Sequence, residues 1–126
     1  MRIRPLSDLH LEFHADGGKE FIHNLDNECD VLVLAGDISN AEGLRTALYY
    51  FARRFDDSAI VFVKGNHELY GSSPDAVESI FEDVRQRQRA GDEHCPYRLS
   101  RSRRSALPRL LALVQVSHAR RQVMYE

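Results

Sequence analysis

The sequence has little cysteine and no long hydrophobic run. Its only cysteines are Cys29 and Cys95, and neither belongs to a CxxC pair. This argues against a disulfide scaffold or a thiolate-rich zinc site, and it predicts free thiols in a reducing compartment. No apolar run approaches the roughly 18 residues of a membrane span, and Arg2, Arg4 and Asp8 interrupt any amino-terminal signal. We therefore expect a cytoplasmic protein with no membrane partner.

Basic residues are scarce early in the chain, and acidic residues are scarce late. Residues 1–84 hold 7 Lys/Arg against 16 Asp/Glu, whereas residues 85–126 hold 10 against 3. No glycine follows Gly91, and a basic, serine-rich stretch begins at Arg98. We therefore divide the chain into a folded region, 1–91, and a basic tail, 92–126. Within the tail, the pattern of residues 110–116 fits a strand or a helix.

What the sequence does contain is the pattern of one α/β domain. Its 126 residues, 43% of them apolar, are enough to bury a core. Three apolar stretches of strand length occupy residues 1–6, 31–35 and 60–63. The last two are continuous, which is typical of central strands in a parallel sheet that is covered on both faces.

Helices are predicted between and after these strands. Ser39 and Glu42 have capping-box spacing, and an apolar face at helical period follows. This face contains Leu44, Ala47, Leu48, Phe51, Ala52 and Phe55. A second helix is predicted from Ser73-Pro74 to Gly91, and residues 21–25 form a candidate short helix. The alternation of strands and helices predicts parallel strands joined by right-handed crossover helices.

A polar motif follows each of the three strands. The motifs are Asp8-Leu9-His10, Gly36-Asp37 and Gly65-Asn66-His67-Glu68. Ligands bind outside the carboxyl ends of the strands in an open parallel sheet, so these distant segments are expected to become neighbours. Together they bring carboxylates, imidazoles and a carboxamide to one place.

These residue types predict a site for divalent cations. Asp8 and His10 are two residues apart, so in extended chain both side chains point the same way and can grip one cation. Asp37 can bridge two cations with its two oxygens, and Asn66 offers a neutral oxygen ligand to the second. Such a mixed set suits manganese, iron or zinc better than calcium.

The three motifs, in this order and strand context, resemble those of the calcineurin-like metallophosphoesterase family. The family pattern is D-x-H, GD, GNH(D/E), a lone His and G-H-x-H. The resemblance implies a metal-dependent phosphoesterase that hydrolyses phosphomonoesters or phosphodiesters with metal-activated water. It implies that Asp8 and His10 hold the first cation, Asp37 bridges, and Asn66 holds the second. His67 would be the proton donor or transition-state stabiliser, with Glu68 orienting its loop.

The resemblance covers residues 1 to about 91, because the lone His and G-H-x-H motifs have no match in the sequence. The nearest segment, Ser117-His118-Ala119-Arg120, lacks the glycine and the second histidine. We therefore expect a partial metallophosphoesterase sandwich with a truncated or irregular C-terminal portion, holding one or two cations. Asn40-Ala41 stands where protein Ser/Thr phosphatases carry Asp-Arg, so small, broad-specificity phosphoesterases are the closer likeness.

Two alternatives stay open. The chain can be a truncated, catalytically inactive phosphoesterase fragment, and a shifted reading frame would explain such an arginine-rich tail. The seven arginines from Arg98 onward can also bind nucleic acid weakly by neutralising phosphates. The sequence leaves the substrate and the oligomeric state open.

Overall fold

A parallel sheet forms the centre of the computed structural model, which describes residues 1–90 and 110–114, with side chains to residue 87. In this part of the chain the sheet has four strands in the order β1-β2-β3-β4. The strands and helices are β1 (Ile3–Leu6), α1 (Lys19–His23), β2 (Val31–Ala35), α2 (Ala41–Arg54), β3 (Ala59–Val63), α3 (Pro74–Ala90) and β4 (Leu110–Val114). Two 3-10 turns, Leu11–Phe13 and His67–Leu69, follow β1 and β3. The predicted α/β fold is confirmed.

The three predicted strands form and pair in parallel. Leu6 pairs with Leu34, and Leu34 in turn pairs with Phe62. Alternate residues of β2 and β3 are completely buried, whereas their neighbours are partly exposed within the described residues. In the undecided segment 110–116, Leu110–Val114 is a strand, and Ile60 pairs with Leu110.

Helix α2 carries the predicted apolar face but begins with a different cap. All six residues predicted for that face are buried. The cap is Asn40 rather than Ser39: the Asn40 Oδ1 accepts a hydrogen bond from the Gly43 N–H at 2.9 Å. Asparagine and serine cap helices equally well. The residue that becomes the cap is therefore the one whose side chain is in register with the first turn. Ser39 is buried instead.

Helix α3 begins and ends close to the predicted positions. The Ser73 Oγ accepts a hydrogen bond from the Ala76 N–H at 3.3 Å. Val77, Phe81 and Val84 are buried, and the Phe81 ring stacks on Phe62 of β3 with centroids 5.9 Å apart. This stacking anchors α3 on the sheet.

The segment after β1 is anchored by a close approach to α1. Gly18 has φ +89°, and a Cβ there would lie 2.6 Å from the Leu11 Cδ2. Leu11 is therefore packed beneath this turn, and both Leu11 and Ile22 are buried. Cys29 is a buried free thiol, whereas Cys95 lies outside the described residues. Among the described residues, no helix has the length and hydropathy needed to cross a bilayer.

The core prediction can be tested at Phe51, which is completely buried on α2. Replacing Phe51 with alanine leaves a cavity, so we expect a loss of about 3–5 kcal/mol in the free energy of unfolding by urea. The matched control is Phe13→Ala, because Phe13 is 78% exposed; its effect should stay within about 0.5 kcal/mol. Equal losses in both variants would contradict the described core.

Candidate metal centre

Three loops meet at the carboxyl end of the sheet. The first loop (residues 7–10) follows β1, the second (36–40) follows β2, and the third (64–66) follows β3. The in-register pairing of β1 with β2 and of β2 with β3 brings the three loops to one edge. The predicted convergence of the three motifs follows from this topology.

Backbone hydrogen bonds fasten the first loop to the second. The Asp8 N–H donates to the Gly36 carbonyl at 3.0 Å, and the His10 N–H donates to the Asp37 carbonyl at 3.0 Å. The Leu11 N–H continues the series to the Ile38 carbonyl at 2.9 Å. The positions of Asp8, His10 and Asp37 are therefore linked through the main chain.

A close approach of two glycines brings the third loop against the second. A Cβ on Gly36 would lie 3.2 Å from the Gly65 Cα, and a Cβ on Gly65 would lie 2.4 Å from the Asp37 Oδ1. The same Oδ1 accepts a hydrogen bond from the His67 N–H at 2.9 Å. The two glycines thus leave the space in which the Asp37 carboxylate reaches the third loop.

Glu68 binds the main chain of both loops. Its side chain is completely buried and accepts hydrogen bonds from the N–H groups of Gly65 at 2.8 Å, Asp37 at 3.1 Å and Ile38 at 2.7 Å. Several N–H donors compensate the burial of a carboxylate. These contacts confirm the expectation that Glu68 orients its loop.

Three candidate ligands have a backbone conformation that is uncommon outside glycine. The φ angles are +55° at Asp8, +48° at His10 and +52° at Asp37. The expectation that Asp8 and His10 lie in extended chain is therefore wrong, because the loop turns through the left-handed region at both residues. Such strain persists only where the surroundings impose it, and it clusters at functional sites.

Asp8, His10 and Asp37 nevertheless come together. One ligand atom from each residue lies within 4.8 Å of the others, with Asp8 exposed and the other two partly buried. Two carboxylates and one imidazole are donors that divalent transition metals accept. The residues present therefore fit the cation that the sequence predicts.

A second group of donors contains a residue that the sequence reasoning missed. It consists of His10, Glu12 and His67, whose ligand atoms also lie within 4.8 Å of one another. The two Nδ1 atoms of His10 and His67 are 3.2 Å apart, and a Glu12 carboxylate oxygen contacts the Nδ1 of His67. The spacing of Asp8, His10 and Glu12, each two residues apart, could have indicated Glu12 as a further ligand. The sequence pattern did not predict the 3-10 turn that brings Glu12 close to His67.

Charge around His67 favours its protonated form. The hydrogen bond that the His67 ring donates to the Glu12 carboxylate, assisted by the negative charges of Glu12, Asp37 and Glu68, raises the pKa of His67, while partial burial opposes the rise. The Tyr70 ring lies beside the imidazole, with centroids 4.7 Å apart. His67 is thus an imidazole that keeps its proton to higher pH than usual.

The remaining predicted residues differ in what the structure describes. Asn66 is exposed at the start of the turn His67–Leu69, and its carbonyl accepts a hydrogen bond from the Leu69 N–H at 3.0 Å. Its role as a ligand of a second cation stays a prediction. The arginine-rich stretch that begins at Arg98, and Ser117-His118-Ala119-Arg120, lie outside the described residues.

Comparison with known proteins supports the same family as the motifs do. A family model described as calcineurin-like phosphoesterase matches residues 1–112. The chain belongs to the calcineurin-like phosphoesterase family, whose members are metal-dependent hydrolases. Searches of curated proteins and of solved structures found no significant match.

The contact between Glu12 and His67 predicts a pH effect. In metal-free protein, Glu12→Gln should lower the pKa of His67 in an NMR titration of its imidazole, because the neighbouring negative charge is lost. A raised folded-state pKa stabilises the fold below the unfolded pKa, and this stabilisation disappears as the pH rises through the folded pKa. The stability gap between wild type and Glu12→Gln should therefore close with rising pH.

The control for this titration is Glu20→Gln, because Glu20 is an exposed residue of α1. It should leave the pKa of His67 unchanged. A His67 pKa that is the same in wild type and Glu12→Gln would show that the contact is absent in solution.

Proposed function

We propose that this chain hydrolyses phosphate esters with a divalent cation held by Asp8, His10 and Asp37. The observation that carries this proposal is the convergence of their ligand atoms at the carboxyl end of the sheet, within a chain of the phosphoesterase family. A cation bound there would polarise a phosphoryl oxygen and activate a water near neutral pH. We propose manganese as the first cation to test, with iron and zinc as alternatives.

His67 is the proposed proton donor to the leaving group. The hydrogen bond from its backbone N–H to Asp37 holds it beside the proposed cation site. Contact with Glu12 engages its Nδ1 and raises its pKa, so a proton is available near neutral pH and Nε2 is left to act as the acid. Each of these contacts supports acid catalysis by His67.

We propose that Asp8, His10 and Asp37 hold a single cation. Asn66 would supply a single oxygen to a second cation, and the 126 residues contain no G-H-x-H motif that would complete its shell. Phosphomonoesters and phosphodiesters are both proposed substrates, because neither is distinguished by the residues of the site. The buried free thiol of Cys29 fits the reducing cytoplasm in which we propose that the protein acts.

The proposal is tested with p-nitrophenyl phosphate and its bis ester in the presence of Mn²⁺. We expect hydrolysis that EDTA abolishes and that Asp37→Asn reduces by about 100-fold or more, because losing a ligand should cost at least as much as losing an outer-shell partner. The control is Asp75→Asn, since Asp75 is exposed in the first turn of α3 and belongs to neither group of candidate ligands. It should retain wild-type activity.

Two outcomes would contradict the proposed function. One is the absence of hydrolysis by folded wild-type protein with Mn²⁺, Fe²⁺ or Zn²⁺, which would favour an inactive family member. The other is full activity of Asp37→Asn, which would place the chemistry elsewhere.

A further inference from the structure

We propose that His10, Glu12 and His67 form a second transition-metal position, which shares His10 with the Asp8-His10-Asp37 site and has Zn²⁺ as its proposed occupant. This goes beyond the proposed function, in which His67 is a proton donor and Glu12 binds no cation. The geometry of the three side chains carries the proposal. His10 and Glu12 lie in the segment after β1, and His67 lies in the segment after β3.

The first observation is the approach of two imidazole nitrogens. The Nδ1 atoms of His10 and His67 are 3.2 Å apart. A Glu12 carboxylate oxygen lies 3.9 Å from the Nδ1 of His10 and contacts the Nδ1 of His67. Two neutral imidazoles can share only one hydrogen between these atoms, and two protonated ones would repel each other. A cation bound between the nitrogens accepts a lone pair from each.

The second observation is an unpartnered carboxylate oxygen. The Glu12 side chain is 12% exposed, and its Oε2 is buried without a hydrogen-bond partner among the described residues. An orphaned carboxylate oxygen is costly, because burial removes its water and nothing replaces it. The hydrogen bond from His67 reaches only Oε1 and leaves Oε2 without a partner in the described part of the chain. Coordination of a cation by the Glu12 carboxylate would offset the cost of burying it.

The third observation is that other contacts hold the two histidines in place. The His10 N–H donates to the Asp37 carbonyl, and the His67 N–H donates to the Asp37 Oδ1. The main chain at both positions is therefore fixed without a cation. Two imidazoles and one carboxylate, with a further position open to water, are a donor set that zinc accepts.

Occupation of this position has a consequence for the proposed reaction. Zn²⁺ on the Nδ1 of His67 would take the place of the proton there, and the remaining Nε2–H would be a weaker acid than the N–H of an imidazolium, so proton donation to the leaving group would slow. It also competes for His10, which belongs to both groups. Excess Zn²⁺ is therefore expected to inhibit hydrolysis that Mn²⁺ supports.

The test measures binding and needs no substrate, so its outcome is independent of the phosphoesterase proposal. Zn²⁺ is titrated calorimetrically into Asp8→Asn, which removes a ligand unique to the neighbouring group, and into Asp8→Asn/Glu12→Gln. We expect Asp8→Asn to bind Zn²⁺ at this position. The double variant should bind Zn²⁺ about tenfold or more weakly than Asp8→Asn does. Asp8→Asn/Glu20→Gln is the matched control and should bind like Asp8→Asn.

Ring-nitrogen NMR spectra of the full chain identify the ligands. In wild type and in Asp8→Asn, Zn²⁺ should shift the resonances of both His10 and His67, and this readout holds even if circular dichroism shows that the double variant is unfolded. Equal Zn²⁺ affinity of the folded double variant and Asp8→Asn would overturn the proposal. A Zn²⁺-induced shift of only one of the two imidazoles would overturn it as well.

Discussion

The buried carboxylate of Glu68 is the contact on which the candidate site depends. It lies in the third motif, yet it binds the main chain of the second loop through the N–H groups of Asp37 and Ile38, and that of its own loop through Gly65. A fully buried carboxylate would be strongly destabilising without such donors. The burial and the three hydrogen bonds therefore require each other, and together they fix the distance between the two loops.

The other features of the site follow from this fixed distance. Once the second and third loops are held together, only glycine fits at positions 36 and 65. Asp37 is then held at a positive φ angle. Its carboxylate accepts a hydrogen bond from the His67 N–H, and its carbonyl accepts one from the His10 N–H. The candidate ligands are thus positioned by the protein itself. Preorganisation of this kind lowers the cost of binding a cation, because no loop has to be ordered at that moment.

Sequence patterns predicted the strands and the buried face of α2, because hydrophobic patterning depends only on local spacing. The alternation of strands and helices predicted the parallel order. They also predicted which motifs meet, since topology alone brings the carboxyl ends of the strands together. They placed the cap at Ser39 rather than Asn40, and they assumed extended backbone at Asp8 and His10. They also missed Glu12, because its side chain reaches His67 through the 3-10 turn Leu11–Phe13, which local spacing does not indicate. The cap is decided by the local register of the Asn40 side chain, whereas the other two points depend on contacts between segments distant in sequence.

Glu68 holds together the loops of the proposed cation site, although it belongs to neither group of candidate ligands. The most direct test is the Mn²⁺ dissociation constant of Glu68→Gln, measured by calorimetry on protein that circular dichroism shows to be folded. The amide replaces one acceptor oxygen with an N–H₂ group that cannot accept from the main chain, so the loops should separate. We expect Mn²⁺ to bind Glu68→Gln about 10-fold to 100-fold more weakly than wild type. An unchanged dissociation constant would contradict it.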